Sequence, residues 1–351
     1  MNTQKVPLPL ISSINKVHQK QEMVGLHLLR IFGAFSVVVI HSSVPITFGF
    51  GKVSDHFWFM SNALESFFRS GVGIFLLLSG VLLIPKITNR GEFLKKRLMR
   101  VVPPFLFWSF AYCYQARAHF PLTPIEIFQK IVHGASTHLW FVQTIILLYI
   151  GCTFFGPLIS KLEKRHLLFL LIISEMLLLA SLYYEEYPWL NEVRTLWAGF
   201  VFMLMGFYFS KLKIGLRKRR IYGLMMFFGG TISTFVGTYL YSKIEGSFQD
   251  YFYSILSPII LFKTSGTYLF FTSISLKEGL LLNFIRGIAK TTFGVYLIHP
   301  LILDAVLFKL GISYQLVNPL VGVTVTSMLC FAISSLFFYF LSKFRYSNYL
   351  M

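Results

Sequence analysis

A cation and an imidazole lie eleven residues apart in one apolar stretch near the start of the chain. They are Arg30 and His41, in the segment LHLLRIFGAFSVVVIHSSVPI. Eleven helical steps of about 100° return the two side chains to the same face, about 16 Å apart along the axis. Ionisable side chains inside a membrane are costly and mark functional sites. Because histidine moves protons near neutral pH, His41 is a candidate for proton transfer.

Each of these two residues also has a purely structural interpretation. An intramembrane histidine such as His41 can bond to a neighbouring helix, and Arg30 lies close enough to the interface to extend its charge into water. Their common face is harder to explain in this way. It favours a ligand that reaches into the membrane.

Two further cations precede the third apolar stretch, in FLKKRLMRVVPPF. Arg97 and Arg100 are three residues apart and share a helical face, so together they can bind a phosphate or a pyrophosphate. The alternative is a topology anchor that contacts anionic lipids. Composition by itself favours the anchor.

A third group of polar residues surrounds a proline in TTFGVYLIHPLILDAVLF. Pro300 lacks an N–H group and frees a backbone carbonyl, with His299 directly before it and Asp304 shortly after. Lys263, in the preceding apolar stretch, has a similar expected depth. We therefore predict an intramembrane ion pair between Lys263 and Asp304, whereas Glu175 in another apolar stretch has no evident role.

The elements that must hold these residues are membrane-spanning helices. Of the 351 residues, 55% are apolar and 13% are charged, about half the charged share of a soluble protein. We predict an all-α, polytopic transmembrane bundle with a tail at 1–24, one membrane domain at 25–342 and a tail at 343–351. About ten spans can be drawn, at 25–46, 67–85, 101–118, 138–160, 167–184, 195–210, 221–241, 251–271, 291–309 and 319–342.

The net charge of +18 follows from the placement of lysine and arginine around these spans. With the N-terminus in the cytoplasm, 23 of the 32 basic residues fall on the cytoplasmic side and about 7 on the other. The positive-inside rule explains this surplus without nucleic acid and makes both termini cytoplasmic. The three cysteines lie in predicted spans and form neither a disulfide framework nor a metal-binding spacing.

The ordered motifs of the chain resemble the acyltransferase-3 family of integral membrane acyltransferases. The matching pieces are R-x10-H at Arg30 and His41, GVxxFLxxSGxLL at 71–83, R-x-x-R at Arg97 and Arg100, HLWF at 138–141 and FGVYLIHP at 293–300. The HLWF run is most similar to the subgroup that modifies surface polysaccharides such as enterobacterial common antigen or poly-N-acetylglucosamine adhesins. Many members have an acidic residue where this chain has Gly73.

The resemblance implies transfer of an acyl group, usually acetyl, from cytoplasmic acyl-CoA to a sugar hydroxyl beyond a bacterial inner membrane. Arg30, Arg97 and Arg100 would bind the donor phosphates. His41 would act as general base or carry the acyl group, with His299 as a second catalytic group. The implied partners are acyl-CoA (acetyl-CoA, succinyl-CoA or another donor), a surface polysaccharide or lipid-linked sugar, membrane lipids and polysaccharide-assembly proteins.

Two other functions are compatible with buried charges in a helical bundle. A transporter or flippase of polysaccharide or an acyl precursor has broken helices and buried charges as well. A noncatalytic assembly partner would tolerate the loss of His41. The pair of Arg97 and Arg100 discriminates, because a sugar flippase needs no phosphate clamp on the cytoplasmic side.

Overall fold

A computed structural model describes residues 8–87, 89–117, 123–183 and 187–344. These residues contain helices and turns and no β-strand, which confirms the all-α prediction. The α-helices of the described residues are α1 Leu8–Thr47, α2 Asp55–Phe68, α3 Gly71–Leu83, α4 Arg90–Arg117, α5 Pro124–His133, α6 Trp140–Lys161, α7 Lys164–Ser181, α8 Pro188–Lys211, α9 Leu216–Glu245, α10 Pro258–Thr272, α11 Leu280–Ile302 and α12 Pro319–Leu341.

Eight segments of the described residues are long and apolar enough to cross a membrane, so the chain is a polytopic membrane protein. Two of the predicted spans, 101–118 and 167–184, correspond to α4 and α7 and are not among the eight. The first third of α4 is strongly basic, and α7 carries Lys164, Arg165 and Glu175.

Both helices nevertheless follow spanning helices from one side of the bundle to the other. Near the start of α4, Arg100 shares a cavity with Arg30 of α1, and near its end Tyr112 donates a 2.7 Å hydrogen bond to the Leu297 carbonyl on α11. Helix α7 lies antiparallel to α8. Trp197 of α8 donates a 3.0 Å hydrogen bond from Nε1 to the Ser174 carbonyl near the middle of α7. The described residues thus contain eight candidate crossings, and the prediction of about ten stays a prediction.

Helix α3 is held against α8 by backbone contact at two glycines. A Cβ atom on Gly80 would overlap the carbonyl oxygen of Met203, and one on Gly206 would overlap that of Leu77. Small residues at a helix interface allow this approach in membranes, where packing replaces the hydrophobic effect between helices. The contact fixes α3, which forms one wall of the cavity described below.

The predicted second span, 67–85, is interrupted in the structure between α2 and α3. Lys263 of α10 is fully buried, and its Nζ donates to the carbonyl oxygens of Ser66 and Phe67, the latter at 3.0 Å, where α2 ends. Asp304 lies exposed in a π-helical turn, Leu303–Leu307. The predicted ion pair between Lys263 and Asp304 is therefore wrong, because the ammonium group binds the carbonyls freed by the helix break.

We expect Gly80→Ala to destabilise the protein markedly, because the added methyl group would force α3 and α8 apart. Overpacking typically costs about 1–3 kcal/mol, and a clash with backbone is at the upper end of this range or beyond. Gly151→Ala on α6 is the matched control, since a Cβ there meets no atom within 4 Å. Thermal unfolding of the detergent-solubilised variants measures the difference. Equal melting temperatures for the two variants would contradict the described contact.

Candidate active site

Three histidines from three helical segments meet inside the bundle. His41 of α1 lies 4.8 Å from His299 of α11 between ring centroids, and His138, just before α6, lies 6.3 Å from His41 and 5.1 Å from His299. His138 and His299 are buried, whereas His41 is partly exposed. The structure thus brings together the two predicted catalytic residues and adds a third imidazole. We call these residues the histidine cluster.

The hydrogen bonds of the buried histidines indicate which nitrogen carries the proton. Nδ1 of His299 lies 2.7 Å from the Tyr296 carbonyl oxygen, and because a carbonyl can only accept, Nδ1 is the donor. A neutral His299 then has an unprotonated Nε2, which is buried without a hydrogen-bond partner among the described residues. This nitrogen is free to accept a proton or a hydrogen bond.

Two tyrosines hold the histidine cluster in place. The hydroxyl of Tyr296 donates to the backbone carbonyl of His138, and the hydroxyl of Tyr112 donates to that of Leu297. The Tyr112 and Tyr296 rings lie 5.1 and 5.5 Å from the His138 ring. The imidazole positions therefore depend on contacts among α4, α6 and α11 and not on local sequence alone.

A cavity of about 360 Å³ lies beside α1 at Met23 and Arg30. Its wall contains basic side chains from four parts of the chain, and none of the described residues that line it is acidic. These basic residues are Arg30, Lys86, Arg97, Arg100 and Lys290. The three arginines predicted to bind a donor thus share one cavity, together with two lysines that the sequence did not single out.

Arg97 is the half-buried member of its pair, and Arg100 is exposed. The Cζ atom of Arg97 lies 5.7 Å from the centroid of the Phe93 ring. Its Nε atom is buried and has no hydrogen-bond partner among the described residues. A buried guanidinium N–H without an acceptor is costly, and an anionic ligand in the cavity would supply that acceptor.

An aromatic wall of the cavity, formed by Phe141 and Tyr296, lies next to the histidine cluster. Phe141 and Tyr296 both line the cavity, with their ring centroids 5.3 Å apart. On its other side, Tyr296 contacts His138 and His299. The Tyr296 side chain therefore contacts both the basic cavity and the imidazoles.

The absence of an acidic residue at position 73 has a packing explanation. A Cβ atom on Gly73 would lie 2.5 Å from Cε1 of Phe202 and 2.9 Å from Oγ1 of Thr264. Phe202 is a fully buried core residue. The space that an acidic side chain would need is therefore filled by Phe202.

Sequence reasoning missed several residues of this site for different reasons. His138 stands out in the sequence only as the first residue of the HLWF motif. Lys86 and Lys290 were counted only as cytoplasmic charges, and their shared cavity depends on the packing of distant helices. The pair of Glu65 and Arg69 was also overlooked, although an acid and a base four residues apart within an apolar region is a readable signal.

A comparison with protein families agrees with this arrangement. A family model described as an acyltransferase domain matches residues 23–339, which is most of the chain. The chain belongs to the acyltransferase-3 family. This acyltransferase-3 protein is a membrane acyltransferase, and the matched region contains α3 and all three histidines. No curated protein and no solved structure matches the chain.

We expect Tyr296→Phe to lower the melting temperature, because it leaves the buried His138 carbonyl without its donor. Removing one partner of a buried hydrogen bond costs about 1–3 kcal/mol. Tyr114→Phe is the control, since Tyr114 is 80% exposed. Thermal unfolding of both variants in detergent provides the measurement, and a wild-type melting temperature for Tyr296→Phe would rule out this anchoring role.

Proposed function

We propose that this acyltransferase moves an acetyl group from cytoplasmic acetyl-CoA to a sugar hydroxyl of a surface polysaccharide or its lipid-linked precursor. The observation that carries the proposal is one cavity with five cations and no acid among its described lining residues, one of which is a tyrosine in contact with the histidine cluster. Such a cavity suits a donor with a polyanionic head and a long uncharged arm. CoA has this form.

The donor phosphates are proposed to bind at the basic end of the cavity. Arg97 and Arg100 are suited to a pyrophosphate because guanidinium groups form charge-assisted, often bidentate, hydrogen bonds with phosphate oxygens. Lys86 and Lys290 lie exposed on the same cavity and are suited to a further phosphate as point charges. Arg30, deeper on α1, would guide the arm of the donor toward the aromatic wall.

His41 is proposed as the general base for the acceptor hydroxyl, since it is the partly exposed member of the histidine cluster. It takes the hydroxyl proton while the sugar oxygen attacks the thioester carbonyl carbon. The tetrahedral intermediate then expels the CoA thiolate, which receives the proton from the imidazolium. Transient acylation of His41 is the alternative route, and it uses the same residue as nucleophile.

His299 is proposed to orient His41. Its unprotonated Nε2 lacks a hydrogen-bond partner among the described residues, and its ring is the closest in the cluster to that of His41. An N–H group of His41 that donates to this nitrogen would leave the other His41 nitrogen as the base. The role resembles that of the group that fixes the histidine tautomer in a hydrolase triad.

The acceptor and the location are proposed from the HLWF motif at 138–141 and from the charge distribution. HLWF is similar to the subgroup that modifies surface polysaccharides, and the basic surplus faces the cytoplasm under the positive-inside rule. A bacterial inner membrane protein with its donor inside and its acceptor outside fits both. Membership of an acyltransferase family disfavours the transporter alternative.

We expect His41→Ala to reduce acetyl transfer by about 100- to 10,000-fold, the usual contribution of a general base. Membranes containing the full-length protein would receive acetyl-labelled acetyl-CoA, and label would be counted in glycans and in released acetate. His56→Ala is the matched control, because His56 is exposed on α2. A wild-type rate for His41→Ala would contradict the catalytic assignment. No transfer by well-expressed wild-type protein would contradict acetyl-CoA as the donor.

We expect Arg97→Ala and Lys290→Ala to raise the KM for acetyl-CoA, each by about 10-fold or more, with a smaller effect on kcat. The loss of one charge-assisted hydrogen bond is worth about 1.5–3 kcal/mol, which corresponds to this change. Lys213→Ala is the control, since Lys213 is basic but lies in the α8–α9 loop outside the cavity. If all three variants had the wild-type KM, the result would favour the interpretation of Arg97 as a topology anchor.

A further inference from the structure

Arg69 lies at the break between α2 and α3, where two contacts hold one part of its guanidinium group. Nη1 forms a 2.8 Å ion pair with Oε2 of Glu65, and Nε donates a 2.7 Å hydrogen bond to the Tyr253 carbonyl oxygen. The group also lies over the Tyr253 ring, with Cζ 4.8 Å from the centroid. A guanidinium group has more N–H donors than the two that these contacts use.

Glu65 is fixed more tightly than its arginine partner. Its side chain is 1% exposed, against 24% for that of Arg69. Oε1 of Glu65 accepts a 2.8 Å hydrogen bond from Ser43 of α1, and Thr47 lies 3.5 Å from the same oxygen. The carboxylate thus connects Arg69 to the helix that carries His41.

The course of α2 along α1 places Arg69 at the depth of His41. Glu65 is level with Ser43, whereas a Cβ on Gly71 would lie 3.0 Å from Cγ2 of Val37, further along the bundle. Residue 69 falls between these two levels, as residue 41 does on α1.

Another cation near the depth of His41, Lys263, donates to backbone carbonyls. Lys263 is fully buried, and its ammonium group donates to the Ser66 and Phe67 carbonyls. The Arg69 side chain, in contrast, is 24% exposed. Arg69 is thus a cation at the depth of His41, and its contacts with Glu65 and Tyr253 leave further N–H groups for a substrate.

We infer that Arg69 supplies the N–H donors that stabilise the oxyanion formed in acyl transfer at His41, with Glu65 as its positioning residue. This inference rests on the proposed function. When the sugar oxygen bonds to the thioester carbon, the carbonyl π electrons move to oxygen and His41 holds the hydroxyl proton. When the C–S bond breaks, the double bond reforms and the thiolate takes that proton. Arg69 stabilises the negative oxygen and exchanges no proton.

The test compares four new variants of the full-length protein with the Arg97→Ala variant described above. Arg69→Gln removes the charge, Arg69→Lys keeps it, and a double variant with Glu65→Gln and Arg69→Gln leaves no unpaired buried carboxylate. Arg286→Gln is the control, because Arg286 also pairs with an acid but in an exposed position. The two readouts are the rate at which labelled acetyl-CoA yields acetylated glycan plus acetate, and the rise in melting temperature on addition of CoA.

We expect Arg69→Gln and the double variant to lower kcat by about 100- to 1000-fold, the usual cost of losing an oxyanion donor. Arg69→Lys should recover part of that loss, and all the variants should keep the stabilisation by CoA. Arg286→Gln should resemble the wild type. Arg97→Ala should show the opposite pattern, with weakened CoA stabilisation and a smaller change in kcat.

A folded double variant with wild-type kcat would overturn the inference while leaving the proposed function intact. Loss of CoA stabilisation in the Arg69 variants in parallel with kcat would also overturn it, because Arg69 would then act in folding or donor binding. A wild-type protein that binds CoA but yields neither acetylated glycan nor acetate would overturn both proposals.

Discussion

The hydrogen bonds from Lys263 to the last carbonyls of α2 are the interaction on which this arrangement depends. A helix that ends within a membrane leaves carbonyl groups without donors, and water is absent there to satisfy them. The buried ammonium group of Lys263 supplies donors to two of these carbonyls. The chain can therefore break between α2 and α3, which sets Arg69 and Glu65 beside α1 and starts α3 at Gly71.

Beyond that break, close packing fixes the positions of the helices on the other side of the bundle. Helix α3 meets α8 by backbone contact at Gly80 and Gly206, and side chains of α3 line the basic cavity. Helices α4 and α11 complete the cavity and meet again at the hydrogen bond from Tyr112 to the Leu297 carbonyl. The cations at one end and the imidazoles at the other are thus positioned by the same few helices.

Features that depend on local sequence could be predicted, whereas contacts between distant parts of the chain could not. Apolar content and the helical repeat were enough to predict the all-α class and the common face of Arg30 and His41, since both follow from bilayer thickness and helix geometry. The contact of His41 with His138 and His299 could not be predicted from the sequence, because it depends on how α1, α6 and α11 pack. The partner of Lys263 was wrong for a related reason. Depth in the membrane suggests an acidic partner, and only the helix break reveals the free carbonyls.

The aromatic wall between the basic cavity and the histidine cluster bears on proton leakage across the membrane. A row of imidazoles open to water on both sides would let protons flow down their gradient. The Tyr296 hydroxyl donates to a backbone carbonyl, and a carbonyl has no proton to pass on. The Tyr296 ring centroid lies 5.3 Å from that of Phe141, and both rings line the cavity. An enzyme built around a polar path through the membrane can in this way remain impermeable to protons between turnovers.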